Sequence, residues 1–252
     1  MNSEMSWTVA QLSRDKMFVN GIASDTVGLY VDTPPMPPMA SEKVITSDIA
    51  GLSGNQYTHT GVYEDIVVTV KCFVFDYGYH PKLIYGFLKD AKTLYFSEAA
   101  EWYYRVKRVV GVTPQYQIDG KNVINIQFVC DPFRYRRQNI PIPFASSPAT
   151  IRNFGNVYCE PQYKLTLDAE SEAIGATFTV NGTALQLLDL SGEVFVDLER
   201  KKIYKKSDNV LTVVQNQTSG KFWNMVLESG ENTMSWTEKI TSVEVTPNER
   251  CL

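Results

Sequence analysis

Histidine is nearly missing from this chain: His59 and His80 are the only two. Neither stands in a metal-ligand pattern such as H-E-x-x-H, so each reads as a loop or helix-start residue rather than a base. The four cysteines (Cys72, Cys130, Cys159 and Cys251) are scattered with no C-x-x-C pair. That spacing argues against a zinc site or redox motif and leaves them as free thiols of a reducing compartment. There is no phosphate loop and no G-x-G-x-x-G, and Gly51-Leu52-Ser53-Gly54 lacks the G-x-S-x-G spacing of a nucleophile elbow. The carboxylate pairs Glu64/Asp65, Glu98/Glu101 and Asp197/Glu199 sit close together on expected strands or turns, where such groups are solvated. The expectation is therefore no enzyme, with no catalytic residue, cofactor or metal.

An excess of positive charge is missing too. The formal net charge is -4, against the basic balance of proteins that grip nucleic acid through its phosphates. Long apolar runs are missing as well: the longest, Ile66 to Phe75, is broken by Thr69 and Lys71. It falls far short of the ~20 residues that cross a bilayer, so no membrane insertion is expected. The start, M-N-S-E-M-S-W-T, lacks the basic and apolar regions of a signal peptide, which implies synthesis and initial residence in the cytoplasm.

What the chain does have is aromatic side chains, 14 Tyr and 12 Phe, an excess that suits strands and interface cores. It also has one stretch dense in proline, Asp131 to Pro161, with Pro132, Pro141, Pro143, Pro148 and Pro161. Proline removes a backbone donor and fixes φ, so this density predicts an extended connector without a central strand or long helix. The expected division is 1–132, a connector over 133–152, and 153–252.

The first block reads as α+β. Asn20-Gly21 joins Met17–Val19 to the next apolar pair as a tight hairpin. Val27 to Val31 and Glu42 to Ile49 read as strands, the Asp32–Met39 run as a rigid loop, and Ala50 to Gly61 as a glycine-containing loop. Ile66 to Phe75 is the strongest strand. Over Pro81 to Lys92 the period changes: Leu83, Ile84, Phe87, Leu88 and Ala91 share a face, the one helix expected. Further strands follow at Thr93 to Ser97, Trp102 to Val110 and either side of Asp119-Gly120. After Pro161 the pattern is strand and turn only, including Phe222 to Leu227, with turns at Asn181-Gly182, Ser191-Gly192, Ser219-Gly220 and Ser229-Gly230. That spacing predicts a β-sandwich.

Several motifs, in order along the chain, resemble one family: the distal tail proteins (Dit) of long-tailed phages infecting Gram-positive bacteria, of lactococcal siphophage type. They are Phe18-Val19-Asn20-Gly21-x-x-Ser24, Gly51 to Asp65 ending in Tyr63-Glu64-Asp65, and Phe87-Leu88 with Leu94-Tyr95-Phe96-Ser97. Next come Phe128 to Phe133 around Pro132, Asn153-x-Gly155 with Pro161, Val194 to Asp197, and Phe222 to Leu227 with Gly230 and Asn232. The resemblance implies a ring-forming N-terminal domain related to tail-tube proteins and a galectin-like C-terminal β-sandwich. It also implies a homohexamer at the virion tail tip that joins the tail tube to the baseplate. The implied partners are the tail-tube protein, the tape measure protein, a tail-associated hub or lysin protein, and baseplate or receptor-binding proteins, with DNA only as passing cargo.

Two readings extend this. The run Phe133, Arg134, Tyr135, Arg136 and Arg137 alternates aromatics with arginines, a pattern of interface anchors. The alternative function is a carbohydrate-binding, lectin-like module. The His-x-Asn-x-Arg strand of galectin sites is absent, and Trp223 and Trp236 are the tryptophans left to stack on a sugar.

Overall fold

Ile66 to Phe75 alternates β-branched residues on one face with Val67, Thr69 and Lys71 on the other, and the chain folds around it accordingly. The computed structural model describes residues 16–36, 38–51, 53–75, 80–116, 121–168, 175–207 and 210–252. Among the described residues the protein is mainly β with one α-helix. It divides into two compact units, the first ending at Arg137 and taking in Leu252, the second Gln138–Cys251.

The first unit contains β1 (Met17–Val19), β2 (Ile22–Ala23), β3 (Tyr30–Thr33), β4 (Glu42–Ser47), β5 (Gln56–Tyr63), β6 (Ile66–Phe75), β7 (Thr93–Phe96), β8 (Trp102–Tyr116) and β9 (Lys121–Arg136). Its main sheet runs β2-β1-β7-β8-β9-β6-β3. The β1–β2 turn is the expected one, with Asn20 and Gly21 both at positive φ (51° and 81°). The helix α1 (Pro81–Lys89) starts on a proline that needs no N–H there, and it buries Ile84 and Leu88. Each contributes about 2 kcal/mol of apolar burial. These two join Val68, Val70, Cys72, Val74, Ile126 and Phe128 in one core.

The second unit contains β10 (Ile142–Phe144), β11 (Ala149–Asn153), β12 (Gln162–Leu167), β13 (Ala176–Val180), β14 (Thr183–Leu187), β15 (Gly192–Asp197), β16 (Lys202–Ser207), β17 (Val210–Val213), β18 (Thr218–Ser219), β19 (Gly230–Trp236) and β20 (Ile240–Thr246). They make two sheets, β10-β20-β12-β15-β16-β17 and β11-β19-β13-β14-β18. Both sheets bury alternate residues in a single core, as a β-sandwich requires. Tyr163 of one sheet meets Phe178 of the other edge to face, with ring centroids 5.0 Å apart, and donates its hydroxyl to the Met225 carbonyl at 2.8 Å.

Several expectations are corrected. The proline-dense stretch is not free of strands: β9 runs through Pro132 to Arg136, and the short strands β10 and β11 follow within it. Pro132 is tolerated because β9 has by then left β6, whose last partner is Cys130, and its register with β8 is irregular there. Residues 56–61, expected in a loop, belong to β5, which carries His59. Phe222–Asn224, expected as a strand, is a 3-10 turn, and Val27 ends another; β3 starts at Tyr30 and runs on through Asp32 and Thr33, expected in the loop. The Asp119-Gly120 turn lies outside the described residues, although the strands flanking it pair as expected.

Candidate assembly surface

Among its described residues the hairpin β4–β5 sends only Tyr63, at its foot, against the core. Its two strands pair with each other and with no other strand among the described residues. Val44, Ile45, Ile49, Tyr57 and Val62 are exposed along it, Ile45 at 61% and Tyr57 at 59%. Exposed apolar residues gathered on one projecting element mark an interaction surface better than the same residues scattered. Local polar bonds hold the hairpin's shape. Glu42 accepts the Gly61 N–H at 2.8 Å and pairs with His59 Nδ1 at 2.9 Å. The Gly61 N–H, and after it His59, hold the Glu42 carboxyl below the usual carboxylate range. Thr60 donates its hydroxyl to the Lys43 carbonyl.

At the foot of the hairpin, motifs far apart in sequence come together. Tyr63 meets Phe133 edge to face at 5.5 Å. Lys107 lies 2.6 Å from Asp65 and 3.2 Å from Asp131, and these two carboxylates, Asp65 first, raise its pKa. Tyr63 and Asp65 therefore meet the β9 segment around Pro132. Lys107 and Asp131 complete this cluster. Asp131 lies within the Phe128 to Phe133 motif, whereas Lys107 looks from sequence like one more cation on a solvated strand.

The arginine–aromatic run divides by face. Phe133 and Tyr135 are buried. Tyr135 lies under the Arg105 guanidinium at 3.7 Å and donates to Asp131 at 3.3 Å. Arg137 donates to the Ala100 carbonyl at 2.9 Å and stacks on Tyr95 at 3.9 Å. The Arg134 Nε is buried without a partner, beside a cavity that Trp102, Tyr104 and Pro34 help to line. The aromatics thus serve the unit's own packing, and so does Arg137 through Ala100 and Tyr95.

The remaining residues that carry the family resemblance serve the fold. The Asn20 amide donates to the Asp90 carbonyl at 2.9 Å and accepts the Lys92 and Thr93 N–H groups at 2.8 and 3.1 Å, tying the β1–β2 turn to the end of α1. Ser24 is buried at the start of a 3-10 turn, its carbonyl accepting the Leu29 N–H. In the second unit Asn153 is buried; it donates to the Val157 and Leu227 carbonyls and accepts the Gly155 N–H. Asn232, also buried, accepts the Glu228 N–H and the Asn181 amide and donates to the Glu228 and Gly230 carbonyls. Gly230 adopts φ 93° at the start of β19. Asp197 accepts from Gln162 and from the Arg200 N–H, and the Pro161 carbonyl accepts the Leu198 N–H. Among the described residues no group of three or more His, Cys, Asp or Glu is placed to hold a metal.

No protein-family model matches this chain, and no curated protein does. Among solved structures, the chain shares the fold of a phage hub protein. That structure is the SPP1 Dit (gp 19.1) protein, described as a paradigm of hub adsorption apparatus in Gram-positive infecting phages. The TM-score is 0.70 at 16% identity, over 94% of this chain and 99% of that one.

Proposed function

We propose that this chain is a hub protein of a phage tail tip, of the distal tail type. Six copies would close a ring that joins the tail tube to the baseplate and leaves a channel for DNA. The observation that carries this reading is the end-to-end likeness of fold: both units are shared with SPP1 Dit, and almost nothing of either chain is left over. The projecting apolar hairpin β4–β5 supports it, because a surface of that kind on a small soluble unit calls for a partner copy. The proposed partners are the chain itself, the tail-tube and tape measure proteins, a tail-associated hub protein, and baseplate or receptor-binding proteins. Sedimentation velocity and negative-stain imaging test the ring. A six-fold species with a central hole is expected, and a chain that stays monomeric at high concentration and beside baseplate proteins overturns it. Charge reversal of Arg136, half-exposed on β9, is expected to weaken assembly and leave the fold intact, as read by the same sedimentation run and by thermal unfolding.

A second reading rests on Trp223, 46% exposed on the sandwich, where Phe222 beside it is buried. An exposed indole is what a sugar-stacking platform needs. A glycan array with the wild-type chain and Trp223→Ala separates the two: micromolar binding lost in the variant favours the lectin-like module.

A further inference from the structure

The four edges of the sandwich are not treated alike. β10, one edge of the larger sheet, contains Pro143 and follows Pro141, so it lacks donors for an added strand. In the smaller sheet, β18 is only two residues long and β11 carries Arg152. Short edges and edge charges are both devices that block strand addition. The remaining edge, β17, has none of them. It reads Val-Leu-Thr-Val, and every residue is exposed, with Val210 at 62%, Leu211 at 50% and Val213 at 54%.

The register says what such an edge would accept. Leu211 pairs with Lys206 and Val213 with Tyr204, which places both on the outer face. Tyr204 stacks there on Phe195 with centroids 5.3 Å apart, so an apolar strip reaches the edge. Thr212 pairs with Lys205 and shares the opposite face with it. Lys205 and Lys206 make no ion pair among the described residues. The described residues of β16 and β17 include no carboxylate, so among them a second copy paired on β17 would offer these cations none.

We propose that β17 is a docking edge for an extended segment of a different protein, one that alternates apolar residues with acidic ones. The apolar residues would cover Leu211 and Val213, the carboxylates would meet Lys205, and backbone hydrogen bonds would extend the sheet. This is independent of the tail-hub reading, since it needs only the sandwich.

The test uses the full chain with a short capped peptide alternating valine and glutamate, a counterpart with lysine for glutamate, and hydrogen exchange as the readout. The glutamate peptide is expected to protect the amides of residues 210–213. The lysine peptide is expected to bind at least about tenfold more weakly, the loss of one good charge contact. The variant Leu211→Lys/Val213→Lys, altered only at exposed positions, should keep its thermal midpoint and lose the protection. Lack of protection at saturating glutamate peptide overturns the proposal, as does equal binding of the lysine peptide. Self-association of the free chain that disappears in the double variant overturns it too, because the occupant is then a second copy.

Discussion

At the residue scale, the side chains that look like a family signature are mostly those whose hydrogen bonds hold turns and strand ends in place. Gly155 is the sharpest case. A Cβ there would sit 2.0 Å from the Arg250 carbonyl oxygen and 3.1 Å from the Asn153 amide oxygen. Gly155→Ala is therefore expected to destabilise the protein by about 3 kcal/mol through forced backbone movement. Denaturant unfolding measures it, and a change within about 0.5 kcal/mol, the range of an ordinary surface substitution, would refute it. The sequence shows Asn153 two positions before that glycine. Its bond to the Leu227 carbonyl spans 74 positions, which no local pattern reveals. The cysteines, by contrast, were legible as thiols, and burial makes them inert. Desolvation pushes Cys72, Cys130 and Cys159 each up to about 12. The thiol is favoured in the folded state, so this contribution is complete below the unfolded-state value near 9 and declines as pH rises toward 12. Stability should accordingly fall above about pH 9. At pH 8 a thiol reagent should modify these three only as fast as the protein unfolds; rapid labelling of the native protein would contradict their burial.

At the element scale, legibility follows how far an element depends on its own residues. β6 reads directly because its alternation is its burial pattern, and α1 because Ile84 and Leu88 fall on one helical face. The long strands β8 and β9 did not, since partner strands continue them past the points where composition suggests a stop. The prolines of the expected connector misled for the same reason. Proline reports a missing donor, and Pro132 stands where β6 no longer asks for one. β5 was missed because its residues show no apolar alternation: Thr58, His59 and Thr60 follow Tyr57, and all but Tyr63 are exposed. With Tyr63 alone of its described residues packed on the core, the rest of the β4–β5 hairpin is expected to be dispensable for folding and required for assembly. Replacing residues 44–61 by a short glycine-serine turn should change unfolding free energy by less than about 1 kcal/mol, as for other changes away from the core. It should abolish the larger species in sedimentation velocity. Loss of cooperative unfolding, or an unchanged sedimentation profile, would each contradict this assignment.

At the scale of the whole molecule, the chain holds two cores that draw on separate stretches of sequence. One gathers residues from Met17 to Cys130, the other residues from Ile151 to Val245. The second is closed by strands paired within the unit and by the Asn153, Asn181 and Asn232 bonds, all internal to Gln138–Cys251. A sandwich of that length has room for an independent core, which small single domains manage at similar size. The first unit holds the projecting hairpin and the arginine run, so the proposed ring contacts belong to it. The two properties should therefore separate. Residues 138–251 produced alone are expected to unfold in one cooperative transition and to stay monomeric, with the Tyr163 and Phe178 rings giving the near-ultraviolet signal of a packed core. If that fragment fails to fold, the two cores are one cooperative system. If it folds and forms the six-fold species by itself, the assembly surface lies on the sandwich, and the hairpin's exposed apolar residues face some other partner.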